Sequence, residues 1–276
     1  MEKSFLLKYP EKQESAVTIL AVCNSKNIFL SVRIILFIFP SIASAAVFVS
    51  NFDSATYLTL ATPPAWQIIR LESHVPATRY RQINWDGVNA IEANADSSMA
   101  LLARWVDVDL NETPMLCWLW RIDSVIKTAD MKKRQGDDYA ARVYLAFSLP
   151  KDTLSLSDKA TLAIARSIFG SHVPDAAINY VWDNIHPIGT RVPNAYTSRA
   201  QMVVLRTGNS DSGKWMAERV NVLDDLHRSF GTLRGKLKLL AIASDSDNTK
   251  EKARAGFAEI AFVKSEENCP APSTPN

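Results

Sequence analysis

The chain has 276 residues, of which 47% are hydrophobic and 22% charged, proportions that exclude disorder throughout and suit a globular protein. Residues 1–45 hold five of its 31 Lys/Arg and three of its 29 Asp/Glu, so the remainder carries equal numbers of each sign. A body balanced in this way lacks the basic footprint needed to bind nucleic acid or an anionic lipid surface.

The first element in chain order is a leader. In "NIFLSVRIILFIFPSIASAAVF" the basic Lys26 and Arg33 flank or precede the apolar run from Ile34 to Ile42, and Ala43-Ser44-Ala45 follows in the small-x-small pattern of an export signal. This pattern predicts cleavage after Ala45, an exported, periplasmic mature protein and no stable membrane span once the leader is gone. A retained anchor is the alternative, but the uninterrupted apolar run is shorter than the roughly 20 residues that cross a bilayer. Residues 1–25 make the leader long, and a downstream non-Met start codon would leave them untranslated. "LAVC", ending at Cys23, is a poor lipid-attachment box, because Val22 stands where a small residue belongs.

Period-two segments dominate from there on. "WQIIRLE", "YRQINWD" and "NAIEANAD" come first, and then "LCWLWRID" sets Leu116, Trp118, Trp120 and Ile122 on one face and Cys117, Leu119, Arg121 and Asp123 on the other. "RVYLAFSL" repeats this, with Val143, Leu145, Phe147 and Leu149 opposite Arg142, Tyr144, Ala146 and Ser148. A helix is predicted in "SDKATLAIARSIFG", with Ser157 as N-cap, Ala160, Ile164 and Ile168 as the apolar stripe and Gly170 as the stop. "INYVWDN" and "AQMVVLRTG" resume the alternation. A second helix in "NVLDDLHRSFG" starts behind Asn221, stripes Val222, Leu226 and Phe230, and closes on Gly231. "KLKLLAIAS" and "GFAEIAFVK" follow, and the Pro-rich "SEENCPAPSTPN" reads as a disordered tail.

Many short strands between polar turns argue for an antiparallel β-sandwich with one or two short helices packed on it. One domain over residues 46–264, a leader over 1–45 and a tail over 265–276 is the simplest organisation. Cys117 and Cys269 could pair in an oxidising compartment, but one lies in an apolar strand and the other in the tail, so the reading is a buried thiol and a loose one. With no Cys/His cluster, structural zinc is not expected.

Candidate chemistry gathers in two stretches. "RQGDDYAARVYLAF" places Asp137, Asp138 and Arg142 at the mouth of a strand: either a carboxylate pair for a metal or for acid/base work, or a turn cap together with a buried ion pair to Arg142. Side chains at successive strand positions face opposite ways, which favours the structural alternative. "SDSDNTK" offers Asp245, Asp247 and Asn248 as oxygen ligands. Thr249 and Gly256 break the EF-hand pattern, so a calcium site would need oxygens from other loops, and an Asx-type turn is the simpler reading. Glu218 is a further candidate acid. Trp85 and Trp182, beside polar turns, are candidate platforms for a sugar ring, although tryptophans also fill sandwich cores. No nucleophile elbow, P-loop or dinucleotide turn is present in the sequence.

The ordered blocks "MLCWLWRID", "GDDYAARVYLAF", "INYVWDN", "MVVLRTG", "KWMAERVNVLDDLHRSFG" and "LAIASDSDNTKEKARAGFAEIAF" resemble an exported bacterial family, the domain of unknown function DUF3047, over about Val47 to Val263. The segment from Lys151 to Asp175 departs from the resemblance and reads as an insertion. The resemblance implies a jelly-roll or galactose-binding type of sandwich and no assigned activity. Two functions are therefore expected to compete. The first is non-catalytic binding of a glycan or envelope component, with Asp245, Asp247 and Asn248 shaping one end of the site and Trp85, Trp182 and Arg142 contributing. The second is a glycan-active hydrolase or lyase using Asp137, Asp138, Glu218 or Asp245. No cofactor is expected beyond the open question of calcium on Asp245 and Asp247, and the sequence says nothing of oligomeric state.

Overall fold

A computed structural model describes residues 47–48, 66–169 and 173–271 of the chain. The predicted leader, its cleavage site and the stop at Gly170 lie outside the described residues. In chain order the strands and helices are β1 (Val47–Phe48), β2 (Gln67–Ile69), β3 (Arg79–Trp85), β4 (Val88–Asp96), β5 (Leu101–Trp105), β6 (Met115–Ile122), β7 (Ala141–Ser148), α1 (Leu156–Phe169), β8 (Ala176–Asp183), β9 (Arg191–Pro193), β10 (Ala200–Thr207), β11 (Met216–Asn221), α2 (Val222–Phe230), β12 (Lys236–Ala243) and β13 (Lys252–Val263). The order β11-β6-β13-β4-β3, with β1 added to β13, makes a six-stranded sheet, and β2-β5-β12-β7-β8-β10-β9 makes a seven-stranded one. The fold is thus mainly β, a sandwich of jelly-roll type, antiparallel throughout except for the parallel pair β8 and β10.

Strand parity sets the core. Leu116, Trp118, Trp120 and Ile122 of β6 meet Val143, Leu145 and Phe147 of β7 between the sheets, as the alternation predicts. Burying side chains of this size stabilises the fold by about 1.5–3 kcal/mol each. Trp118 and Trp120 cross edge to face with ring centroids 5.4 Å apart. The opposite parity, from Arg142 to Ser148, faces outward from the seven-stranded sheet.

Both helices form where expected, with two corrections in α1. In α2, Asn221 caps the Asp224 N–H and Gly231 closes the helix at φ 69°, while Val222 and Leu226 are buried. In α1 the cap is Ser155 rather than Ser157: its Oγ accepts from the Asp158 N–H at 3.0 Å, and the Asp158 carboxylate accepts from the Ser155 backbone N–H at 3.2 Å, a reciprocal capping box. The expected stripe is also displaced. Ala160 and Ile164 are exposed, and Leu162 is the residue that reaches the core.

The cysteine reading is overturned, because Cys117 and Cys269 form a disulfide. Cys117 lies on the outward parity of β6, where the returning tail can reach it. Arg219 holds the same tail by donating to the carbonyls of Ser265 at 2.7 Å and Glu267 at 3.1 Å. Residues 265–271 are therefore fastened to the six-stranded sheet, in contrast to the expected disorder.

Three connections cross between the sheets at one end: residues 97–100 from β4 to β5, 123–140 from β6 to β7, and 244–251 from β12 to β13. Backbone hydrogen bonds stitch them together. Ser246 N donates to Ser98 O at 3.0 Å, Asp245 N to Tyr139 O at 3.1 Å and Ser97 N to Glu251 O at 3.2 Å. Both chemistry-bearing stretches of the sequence sit in these crossovers.

Candidate functional site

The pairing of β7 with β12 aligns Arg142 with Ala243, which brings Arg142 beside Asp245, two residues further on. The guanidinium grips that carboxylate with two hydrogen bonds: Nε donates to Oδ1 at 2.9 Å, and Nη2 donates to Oδ2. Nη2 also reaches the Asp137 carbonyl at 3.3 Å. The pair is buried, so both partners depend on this geometry. Asp138 turns the other way and holds the turn after β12. Its carboxylate accepts from Asn248 N at 3.3 Å, Asn248 Nδ2 at 3.2 Å and Thr249 N at 2.6 Å. The Asp137 carboxylate accepts from the Asn194 amide, at 2.9 and 3.1 Å. "SDSDNTK" is therefore a turn, and it is also the wall of a cleft.

That cleft, of about 260 Å³, lies on the outer face of the seven-stranded sheet. Tyr144 and Asn179, cross-strand partners on β7 and β8, share this face with Arg142. The β9–β10 loop folds over it. Asn194 Oδ1 accepts from Tyr196 N at 2.9 Å, and the Tyr196 hydroxyl lies 3.1 Å from Arg134 O and 3.2 Å from Asn248 Oδ1. Leu71, Glu72 and Val75, following β2, complete the lining. Tyr196 leaves 49% of its surface exposed, whereas Asn179 is only 2% exposed and its Oδ1 has no hydrogen-bond partner. A buried acceptor left in this way costs free energy unless something from outside satisfies it.

Electrostatics distinguish this end of the molecule. Burial pushes the Asp245 carboxyl up to about 8, with Asp138 and Asp137 adding to the shift and Arg142 opposing it. Burial also raises Asp137, against Arg142 and Asn194, and raises Asp247, reinforced by the Asp138 charge. Four carboxyl groups share one guanidinium, so the cluster tends to retain a proton.

Asp138, Asp245 and Asp247 can bring one oxygen each within 4.8 Å of one another, the spacing of a cation site. The donor set fits such an ion poorly. Asp245 is gripped by a guanidinium, which supplies the positive charge itself, and both oxygens of Asp138 already accept from backbone N–H groups. Calcium takes six to eight oxygens, and Asp247 is the one carboxylate of the three without such a commitment.

The remaining predicted site residues lie elsewhere. Glu218, on β11 of the other sheet, accepts from Trp120 Nε1 at 3.0 Å and Arg206 Nε at 2.6 Å. Trp182 is 1% exposed, with its ring centroid 5.7 Å from that of Trp120 and its Nε1 on Gly208 O at 3.0 Å, so it presents no face to a ligand. Trp85 is 8% exposed, with Arg254 at 3.8 Å and Arg121 at 4.3 Å from its ring centroid. The aromatics at the cleft are instead Tyr144 and Tyr196. Among the missed residues, Asn179 had a readable signal, an amide in the middle of the apolar strand "INYVWDN"; Asn194 and Tyr196, in a loop, had none.

The family model described as Protein of unknown function (DUF3047) matches residues 64–261. No curated protein matches the chain. Among solved structures, the chain is similar to the xyloglucanase domain of NopAA, a type three effector from Sinorhizobium fredii in complex with cellobiose, at 6% identity and a TM-score of 0.38, covering 72% of this chain and 93% of that one. It is also similar to a family 12 xyloglucanase from Bacillus licheniformis in complex with ligand, at 8% identity and a TM-score of 0.40, covering 77% of this chain and 97% of that one.

Proposed function

The chain belongs to the family of proteins of unknown function DUF3047, and we propose that it is a binding protein of the cell envelope that holds a glycan, or an envelope component bearing sugar-like hydroxyls, in the cleft beneath the β9–β10 loop. The observation that carries this reading is the unpartnered, buried Oδ1 of Asn179 in a cleft that also presents Tyr144, Tyr196 and the amides of Asn194 and Asn248. Flat rings beside directed amide and carboxylate groups suit a polyhydroxylated ring, which offers an apolar C–H face and a set of O–H donors. The crossover acids support binding rather than turnover. Asp245 is committed to Arg142 and Asp138 to the backbone N–H groups of Asn248 and Thr249, which leaves neither free to act as a general acid or base.

Two observations support an exported, periplasmic location: the leader pattern ending at Ala45 and the Cys117–Cys269 disulfide, a bond that persists in oxidising compartments. No helix among the described residues is long and apolar enough to cross a membrane.

Calorimetric titration of the full chain with a panel of neutral and amino-sugar oligosaccharides tests the reading. Binding of at least one of them is expected, weakened about tenfold or more by Tyr196→Ala through loss of a stacking face. No binding across the panel would overturn it, and cleavage of an oligosaccharide that Asp137→Asn abolishes would replace it with the hydrolase reading.

A further inference from the structure

The cleft is unbalanced in charge. Arg142 is the one cationic side chain lining it among the described residues, and its guanidinium is occupied by Asp245 and the Asp137 carbonyl. Beyond Asp245, which Arg142 holds, stand Asp137, Asp247 and the exposed Glu72, the last with His74 at 3.2 Å. Asp137 is satisfied by the neutral Asn194 amide rather than by a cation. Hydrogen-bonding capacity is skewed in the same direction, because the unpartnered group on the sheet face, Asn179 Oδ1, is an acceptor. A neutral polyol can satisfy Asn179 but adds no cation to Asp137 and Asp247, whose charges Arg142 and, at Asp247, Lys250 offset without a direct ion pair. An anionic ligand would meet like charge.

Resting on the glycan reading above, we propose that the cleft selects a sugar carrying a free, protonated amino group, with the ammonium at the Asp137/Asp247 end and a hydroxyl donated to Asn179 Oδ1. An ammonium has three N–H donors and no acceptor, which complements a wall made of carboxylates and an amide oxygen. Hydrogen bonds between ionised partners are roughly twice as strong as neutral ones. The half-exposed ring of Tyr196 stands at the same cleft, with the Arg134 guanidinium 5.3 Å from its centroid, and its remaining surface is open to the sugar.

The discriminating experiment compares two oligosaccharides that differ only at nitrogen: a glucosamine tetramer with free amines and its fully N-acetylated counterpart, titrated calorimetrically into the full chain at neutral pH. The free-amine tetramer is expected to bind at least about tenfold tighter. Asp247→Asn is expected to erase that preference. Because the chemical change lies in the ligand, the comparison stands even if the variant fails to fold. Equal affinity for the two tetramers would overturn the amine proposal and leave the glycan reading intact. Binding of a simple polyamine as tight as that of the glucosamine tetramer would overturn the proposal too, since the cation alone would then suffice. Failure of both tetramers and of every neutral glycan would sink the glycan reading itself.

Discussion

Two clusters of charged and aromatic residues face outward on opposite sheets, and they are balanced differently. On the six-stranded sheet, Arg81 and Arg254 both hold Glu92, Arg254 also reaches Asp123, and Arg121 pairs with Asp86, so three cations meet three anions. Trp85 stacks between Arg121 and Arg254, and Trp215 packs edge-on to it at 6.1 Å. Gly256 lies beneath, where a Cβ would come within 2.7 Å of the Trp215 ring. On the seven-stranded sheet four carboxyl groups share Arg142, and a buried acceptor has no partner. The first cluster balances its charges among its own residues, although Arg121 Nε has no hydrogen-bond partner, while the second sets several carboxyl groups against one guanidinium. Aromatic content alone points to the six-stranded sheet, whereas the cleft lined by polar groups lies on the other.

The most severe test of this contrast is Arg142→Met. Removing the cation leaves buried Asp245 without its donors and is expected to destabilise the fold by about 3–5 kcal/mol in denaturant titrations. A change within about 0.5 kcal/mol would mean that the pair is dispensable. Next, neutralising one acid in each cluster should give unlike results. Glu92→Gln, which strips charge from a carboxylate held by two arginines, should cost about 1.5–3 kcal/mol. Asp247→Asn, which relieves like-charge repulsion, should be neutral or stabilising. Similar losses from both substitutions would erase the distinction between the clusters.

A smaller effect appears in the pH dependence. Asp245 is raised to about 8 in the folded chain against about 3.9 in an unfolded one. Its contribution to stability is thus fully present below about pH 3.9 and is lost as pH rises through about 8. Asp137 and Asp247 shift the same way. Glu92 is lowered, with burial opposed by the hydrogen bonds and charges of Arg81 and Arg254, so its contribution is present above about pH 4.3 and is lost as pH falls through its folded value. Melting temperature should therefore fall between about pH 5 and 8, and fall less steeply in Asp247→Asn. The smallest expected effect is that of calcium, which should leave the melt unchanged. Stabilisation by about 2.7 kcal/mol at a hundredfold excess over the dissociation constant would convert the acid cluster into a metal centre.

The strands were legible because period two survives in sequence: β6 and β7 bury the residues that their alternation assigns. Trp182 adjoins the polar Asp183–Asn184, which made it a candidate platform, but it shares the parity of Ile178 and Tyr180 and is buried with them in the core, the alternative that the sequence also offers. The capping of α1 by Ser155 rather than Ser157 reflects two serines separated by one residue, of which only Ser155 has Asp158 three residues on. Each half of the site was visible as a polar interruption, "GDDYAAR" and "SDSDNT", but their meeting was not. It depends on β7 and β12 being neighbours, a pairing of residues about a hundred apart that no local pattern encodes. The Cys117–Cys269 bond escaped for the same reason.

The Arg142–Asp245 pair joins positions 103 residues apart, and the crossovers that frame the cleft come from three separate parts of the chain. Contacts of such long range carry a loop-closure cost before they return any stabilisation, so they tend to form late and slowly. A chain emerging from its N-terminus can pair β7 with β8 long before β12 exists to supply Asp245. Until then Arg142 has no carboxylate to grip and the turn that walls the cleft has not been made. Competence to bind should therefore coincide with completion of the fold, and a ligand that fits the cleft can engage only molecules that have finished folding.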